Sequence, residues 1–234
     1  MSRTRFFSCA SLVLAGMTLI AGCGGGNGGG QPGVSGGEVS PPFIPLEVVI
    51  PGDTDEGADQ RPQVTLTVTN GAGIDGEVVI TLLPEYAPLT VENFLTYVNN
   101  GFYNGTIFHR YEQGFVFQGG GYSAPVAATD TPVHKETRAP IGLEIKVSNV
   151  RGTVAMARAT DLNSATSEFF INLADNTFLN TNSGGYTAFG YISDMTVVSG
   201  MEQAPCVTSV VTTGTNSCLP VPNLVITSAV QTRP

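Results

Sequence analysis

Two short stretches decide how this chain folds: residues 108–121 read FHRYEQGFVFQGGG, and residues 167–172 read SEFFIN. The first stretch holds an arginine, Arg110, flanked by aromatic residues, then an amide at Gln118 and three glycines that let neighbouring backbones approach closely. The second stretch adds a pair of aromatic side chains. Such a set is poor for hydrolysis, which needs an activated nucleophile, and well suited to holding a peptide.

The sequence around these stretches is patterned as a mostly β domain. Residues 64–69 alternate between apolar residues and threonine before Asn-Gly, which predicts a strand and a turn, and residues 77–83 predict its hairpin partner. Within 88–101 the apolar residues recur with the helical period, which predicts a helix capped by Thr90 and stopped by the final glycine. Several short strands and a short helix near 195–203 follow, which favours a closed barrel or a sandwich.

Taken together, the motifs resemble the signature of the cyclophilins, the prolyl cis/trans isomerases. Four motifs stand in the order and spacing of that family: FHR at 108–110, GF at 114–115, QGG at 118–120 and FF at 169–170. The resemblance runs from about Val64 to Val230, and RGTVAMAR at 151–158 looks like the bacterial, exported branch. It implies a mainly β fold for a domain at 61–234: a closed eight-stranded antiparallel β-barrel capped by two α-helices.

The resemblance also implies an activity, peptidyl-prolyl cis-trans isomerisation. Rotation about a peptide bond costs about 18–20 kcal/mol because amide resonance is broken, yet no bond is made or cut. The catalyst therefore needs no metal and no cofactor, only a site that favours the twisted amide over the planar forms. Arg110 is the expected hydrogen-bond donor to the prolyl nitrogen, since its planar guanidinium carries five N–H groups.

By the same resemblance, the remaining site residues divide into two groups. The catalytic set is Arg110, Phe115 and Gln118. The substrate-binding set is Val116, Ala157, Arg158, Ala159, Glu168, Phe170, Phe178, Leu179 and Tyr186.

The chain also departs from the family pattern near the arginine. Tyr111, Glu112 and Gln113 stand where two aliphatic residues, or an aliphatic residue and proline, are usual before the glycine, and Glu168 replaces a glutamine. We expect the Glu168 carboxylate to pair with the Arg110 guanidinium, orienting it and occupying donors, and so to reduce activity without abolishing it. Glu112, Gln113 and Glu168 favour an alternative function, a low-activity peptide-binding or chaperone-like module tethered to the membrane. The intact Arg110, Phe115, Gln118 and Phe170 favour the enzyme.

The first sixty residues are typical of an exported, anchored protein. Residues 1–22 combine two arginines, an apolar run and a small-residue end, which predicts a signal peptide. The following Cys23 resembles the lipid-accepting cysteine of bacterial lipoproteins. Residues 23–60 are rich in glycine, then proline and acids, which predicts a flexible tether. The expected location is the cell envelope, with a lipid on Cys23 anchoring the protein to a bacterial membrane that it faces from the periplasm or exterior.

Charge and cysteines narrow the partners further. The formal net charge is −9, and removing the two signal arginines leaves 8 basic against 19 acidic residues, a charge of −11, which argues against nucleic acid. Proline-containing segments of exported proteins are the expected partners, and a monomer is the expected state. Cys206 and Cys218 remain in the domain, where an even pair favours a disulfide. A metal site is the weaker interpretation, because Cys-x-x-Cys spacing is lacking.

Overall fold

The computed structural model describes residues 60–234, except residues 128, 131, 210, 211 and 213–215. The predicted signal peptide, Cys23 and the tether up to residue 59 lie outside the described residues. Within that part of the chain, the strands and helices run in the order β1 Gln63–Thr69, β2 Asp75–Leu82, α1 Pro88–Asn99, β3 Thr106–Glu112, β4 Val116–Ser123, β5 Thr153–Met156, β6 Phe169–Asn172, β7 Ala188–Tyr191, α2 Thr196–Met201, β8 Cys206–Val207, β9 Ser217–Pro220 and β10 Val225–Arg233. Short 3-10 helices cover Thr177–Asn180 and Asn182–Gly184.

Eight of these strands close into an antiparallel barrel in the order β10-β1-β2-β7-β5-β6-β4-β3. The closing pair is β10 with β3, where Val225 lies opposite Ile107 and Ile226 opposite Thr106. Closure matters because it leaves no unpaired strand edge within the barrel. The expected barrel with two helices is confirmed. An additional hairpin-like pair, β8 and β9, extends the sheet outward from β3.

The barrel interior is filled by the inward faces of the alternating strands. Val64, Leu66 and Val68 of β1 are fully buried, as their alternation with threonine predicts. Helix α1 adds its own apolar stripe, including Phe94 and Val98, to the same cluster. Burial of such a stripe stabilises the helix against the barrel more than its intrinsic propensity does.

The start of α1 differs from the sequence-based prediction. The helix begins at Pro88, and Thr90 lies inside its first turn, where it is fully buried. The carboxylate of Glu144, from a distant loop, accepts hydrogen bonds from the backbone amides of Leu89 and Thr90 and from the Thr90 hydroxyl. Glu144 thus satisfies amides that a local cap would otherwise serve. Gly101, with φ of 66°, adopts the left-handed conformation expected at the helix end.

Across residues 60–234, apart from the seven positions that are not described, no helix is long and apolar enough to cross a membrane.

Candidate active site

The candidate site lies on the outer face of the barrel, along a row of residues paired across neighbouring strands. Arg110 of β3 lies opposite Gln118 of β4, Gln118 lies opposite Phe170 of β6, and Phe170 lies opposite Ala155 of β5. Cross-strand partners on one face have Cβ atoms about 5 Å apart. Sheet register therefore brings the two predicted motifs into one site.

Because of a β-bulge at His109, the Arg110 side chain points towards this row of residues. Phe108 pairs with Gly119 and Arg110 with Gln118, so two steps along β3 correspond to one step along β4. In a regular strand Phe108 and Arg110 would lie on the same face. With the bulge, Phe108 and Tyr111 both enter the barrel core, while Arg110 points outward. Bulges commonly re-aim a side chain in this way beside active sites.

An apolar pocket adjoins the guanidinium. Its lining residues lie in β3, β4 and β6 and in the segments that follow β3, β5 and β6: Arg110, Phe115, Val116, Gln118, Ala157, Phe170, Leu179 and Tyr186. These apolar residues form a cluster separate from the barrel core, with the Phe170 and Tyr186 rings edge to face at 5.9 Å. Phe178 lies at the rim instead, 52% exposed and stacked on Phe115 at 5.8 Å between ring centroids.

The Arg110 side chain is only 4% exposed and is held on several sides. Its Nε donates to Ser217 Oγ at 2.9 Å, and its Nη2 lies 2.5 Å from Glu112 Oε2. Its Nη1 makes a long contact of 3.5 Å with Gln118 Oε1, and the guanidinium carbon lies 5.7 Å from the centroid of the Phe115 ring. Burial lowers the pKa of Arg110, and the Glu112 carboxylate partly offsets this.

The expectation that Glu168 pairs with Arg110 is wrong. Glu168 Oε2 accepts a hydrogen bond from Gln118 Nε2 at 2.7 Å, and Glu168 Oε1 lies 3.0 Å from His134 Nε2. The acidic partner of the guanidinium is Glu112, two residues along the same strand and therefore on the same face. Glu168 precedes β6 and lies beyond Gln118 from the arginine, in room left by the missing side chain of Gly121. It braces Gln118 instead.

Two histidines flank the Glu168 carboxylate. Burial raises the pKa of Glu168, but the nearby His109 and the hydrogen bonds from His134 and Gln118 outweigh burial and hold the pKa below its usual value. The hydrogen bond to Glu168 raises the pKa of His134. His109 is 2% exposed, burial lowers its pKa, and its Nδ1 has no hydrogen-bond partner among the described residues. Its nearest aromatic contact is the ring of Tyr122, edge to face at 4.7 Å.

No three His, Cys, Asp or Glu side chains are grouped to hold a metal ion in the part of the chain that the structure describes.

Arg158 lies behind the pocket wall. Its guanidinium donates to the carbonyl oxygens of Ser183 and Gly185, and it lies 4.6 Å from the centroid of the Tyr186 ring. The carbonyl of Ala159 accepts a further hydrogen bond from Arg158 Nη1 at 2.9 Å. With a side chain only 4% exposed, Arg158 holds the loop that places Tyr186 in the pocket. A role along the peptide groove for Arg158 and Ala159 stays a prediction.

Sequence reasoning missed Ser217 as a neighbour of Arg110. The two residues are 107 positions apart and meet because β9 pairs with β3, placing Ser217 opposite Glu112. No local motif around Ser217 carries this information. The next residue, Cys218, forms a disulfide with Cys206, and the Cα atoms of the pair are 5.5 Å apart.

Comparison with known proteins agrees with this geometry. Residues 64–230 match the family model described as cyclophilin type peptidyl-prolyl cis-trans isomerase/CLD. Peptidyl-prolyl cis-trans isomerase A of Dickeya dadantii (strain 3937) is 46% identical over 158 residues, which cover 66% of this chain and 78% of the relative. Peptidyl-prolyl cis-trans isomerase B of Escherichia coli (strain K12) is 40% identical over 157 residues, covering 65% and 92%.

Among solved structures, a cyclophilin type peptidyl-prolyl cis-trans isomerase of Cryptosporidium parvum superposes with a TM-score of 0.56. It is 23% identical, and the match covers 74% of this chain and 99% of that one, which supports the fold alone. Barrel, site and family match agree, and the chain belongs to the cyclophilin-type peptidyl-prolyl cis-trans isomerases. The family and the isomerase class expected from the sequence motifs are thereby confirmed.

Proposed function

We propose that this cyclophilin-type isomerase accelerates rotation about X–Pro bonds in exported polypeptides, from a site anchored to a bacterial membrane by a lipid on Cys23. The observation that carries the catalytic part is the buried Arg110 guanidinium beside an apolar pocket. When an X–Pro amide twists, its nitrogen regains a lone pair that the guanidinium can stabilise, and the charge separation of the amide falls. A dry pocket favours that less polar state.

The individual residues have distinct roles in this proposal. Phe170, Leu179 and Val116 receive the prolyl ring, because they form the apolar wall opposite the guanidinium. Gln118 holds the substrate backbone and is itself fixed by Glu168. Phe115 packs beside the guanidinium and screens it from water. A preorganised donor in a water-poor site is worth far more than the same donor in water.

The test is cis-to-trans relaxation of an Ala-Pro test peptide, catalysed by the chain from Cys23 onward. Arg110→Ala is expected to lower kcat/KM by about a hundredfold, the cost of removing one preorganised donor. Arg138→Ala removes the same charge from an exposed arginine and is expected to leave kcat/KM unchanged. Equal rates for the wild type and Arg110→Ala would contradict the proposal.

One observation favours the second candidate function, a peptide-binding module with little turnover. The Glu112 carboxylate lies 2.5 Å from Arg110 Nη2, and an acid so placed reduces the positive field that the twisted amide experiences. The two functions are separated by measuring binding of the Ala-Pro peptide alongside its relaxation. Binding without acceleration would favour the module.

The anchoring part rests on the sequence of residues 1–60 and has its own test. Cys23→Ser in the full chain is expected to abolish incorporation of a labelled fatty acid and to move the protein from the membrane to the soluble fraction. Substitution of Cys9, which lies inside the predicted signal, is the matched control and is expected to change neither. Size-exclusion chromatography of the soluble form checks the proposed monomer.

A further inference from the structure

The β8–β9 pair lies outside the barrel and brings a hydroxyl to the catalytic arginine. β9 pairs with β3 so that Ser217 lies opposite Glu112 and Cys218 opposite Tyr111. β8 pairs in turn with β9, Cys206 lying opposite Pro220. The barrel is already closed by β10 and β3, so the barrel's closure does not require β8 and β9. The contact of β9 with Arg110 therefore has a role other than closing the barrel.

Three side chains form a closed ring of polar contacts at this point. Arg110 Nε donates to Ser217 Oγ at 2.9 Å, Ser217 Oγ donates to Glu112 Oε2 at 3.1 Å, and Arg110 Nη2 lies 2.5 Å from the same oxygen. A serine hydroxyl offers one donor and two acceptor positions, so both contacts of Ser217 can form together. Nε and Nη2 lie along the same edge of the planar guanidinium, and both nitrogens on that edge are bound, Nε by Ser217 and Nη2 by Glu112.

This grip restricts how the guanidinium can turn. Two contacts on one edge of a planar group fix its rotation about the last bonds of the side chain, as a single contact would not. The Nη1 nitrogen then lies toward Gln118, which borders the pocket. Both Arg110 and Ser217 are almost fully buried, at 4% and 6% exposure, so water competes little for these hydrogen bonds.

The disulfide secures the position of Ser217. Cys218 follows it directly and is joined to Cys206, which belongs to the neighbouring strand β8. The bond closes a short segment, since the two cysteines are 12 positions apart. Strand β9 is therefore held from two sides, by its ladder with β3 and by the covalent link to β8.

We propose that Ser217 is a positioning residue for the isomerase reaction, acting with Glu112 to hold the Arg110 guanidinium at the pocket, and that the Cys206–Cys218 disulfide keeps Ser217 in place. The inference rests on the proposed function, in which Arg110 donates to the twisted prolyl amide. It extends that function by making turnover depend on a strand pair outside the barrel and on the oxidation state of its cysteines.

Ser217→Ala is the first test, with kcat and KM separated by nuclear magnetic resonance exchange measurements on an Ala-Pro peptide. Ser217→Ala removes one hydrogen bond to the charged guanidinium. If that bond stabilises the transition state, its loss lowers kcat by about tenfold. KM is expected to stay within about twofold, because the apolar pocket is untouched. Ser217→Thr keeps the hydroxyl and is expected to restore kcat.

Thr106→Val is the matched control. Thr106 lies on the same strand as Arg110, is fully buried, and its hydroxyl donates to the carbonyl of Tyr103, away from the pocket. This variant loses a buried hydroxyl and some stability, but kcat is expected to remain that of the wild type. A similar fall in kcat in both variants would assign the effect of Ser217 to general loosening and overturn the inference.

A second readout is independent of turnover. The Arg110 Nε–H is expected to be protected from exchange with water in the wild type and to lose that protection in Ser217→Ala. Reduction of the disulfide in the folded protein is expected to lower kcat as Ser217→Ala does, and to cause no further loss in that variant. Unchanged kcat and unchanged protection after reduction would overturn the role of the disulfide.

The outcomes distinguish this inference from the proposed function. If Arg110→Ala matches the wild type, the proposed function fails. If Arg110→Ala is slow while Ser217→Ala keeps its kcat and its Nε–H protection, the function stands and the positioning role of Ser217 is wrong.

Discussion

Glu168→Gln probes the polar network behind the pocket. His134 Nδ1 lies 2.8 Å from the carbonyl oxygen of Lys135, and His134 Nε2 lies 3.0 Å from Glu168 Oε1. Both ring nitrogens therefore face acceptors, an arrangement that only the doubly protonated imidazolium satisfies. A glutamine at position 168 can still accept the hydrogen bond from Gln118, while its NH₂ group can donate to a neutral imidazole. We therefore expect Glu168→Gln to lower the pKa of His134.

The sign of the pH dependence follows from the two pKa shifts. The pKa of His134 is raised in the folded protein. Protonated His134 therefore stabilises the fold fully below its pKa in the unfolded chain, near 6.5, and this stabilisation is lost as pH rises through its pKa in the folded protein. The pKa of Glu168 is lowered, so its contribution is present above about 4.5 and is lost as pH falls through the folded value. Stabilisation by the pair is therefore largest between about pH 5 and 6.5.

The stabilisation that the His134–Glu168 pair provides is limited by the exposure of His134. The Glu168 side chain is 8% exposed, but that of His134 is 42% exposed, so solvent screens their attraction. We expect Glu168→Gln to lower the free energy of unfolding by about 1 kcal/mol at pH 6 and by much less at pH 8.5. His109 Nε2 also lies 3.4 Å from Glu168 Oε2, so both imidazole titrations are followed, and the loss assigned to His134 is the part that tracks the titration of His134 itself.

The assay combines denaturant unfolding between pH 5 and 8.5 with nuclear magnetic resonance titration of the imidazole signals, which is simple because the chain has two histidines. Glu144→Gln is the matched control, since Glu144 accepts hydrogen bonds from backbone amides and a hydroxyl. The loss of unfolding free energy in Glu144→Gln is expected not to change as His134 titrates. A pH-independent loss in Glu168→Gln, or an unshifted His134 titration, would refute the reasoning.

Three further substitutions test the packing and the pocket rim. Gly121→Ala is expected to cost about 2 kcal/mol and lower kcat/KM, measured together by unfolding and peptide relaxation, because its Cβ would overlap the buried Glu168 carboxylate. Leu66→Ala, in the barrel core, is expected to lower the free energy of unfolding by about 3 kcal/mol in urea titration. Phe178→Ala should change stability by less than about 0.5 kcal/mol, yet raise KM about threefold, since Phe178 is exposed and stacks on Phe115 at the pocket rim.

Much of the site could be predicted from local sequence because its residues cluster in short motifs. Arg110, Phe115 and Gln118 fall within nine residues of one another, and strand pairing brings Phe170 beside Gln118. The partner of Arg110 could not be predicted in the same way. The sequence-based prediction pairs Glu168 with Arg110, whereas the strand register places Glu112 on the guanidinium and Glu168 on Gln118.

The periodicity of the sequence predicted strand β1 and helix α1 and left a barrel or a sandwich open, while the resemblance to the cyclophilins implied the barrel and the pocket residues. Alternation of apolar residues with threonine in β1, and the helical period within Pro88–Asn99, are local patterns that specify which faces must be buried. Hydrophobic burial then makes those faces pack together, whatever the details of the connections.

Only the tertiary structure decided where the arginine points and what holds it. Strict alternation along β3 would place Arg110 on the same face as the core residue Phe108, and the bulge at His109 turns it outward. The hydroxyl of Ser217 arrives from 107 residues away through the pairing of β9 with β3. A bulge and a long-range strand pairing both depend on the partner strand, and for that reason the local sequence does not encode them.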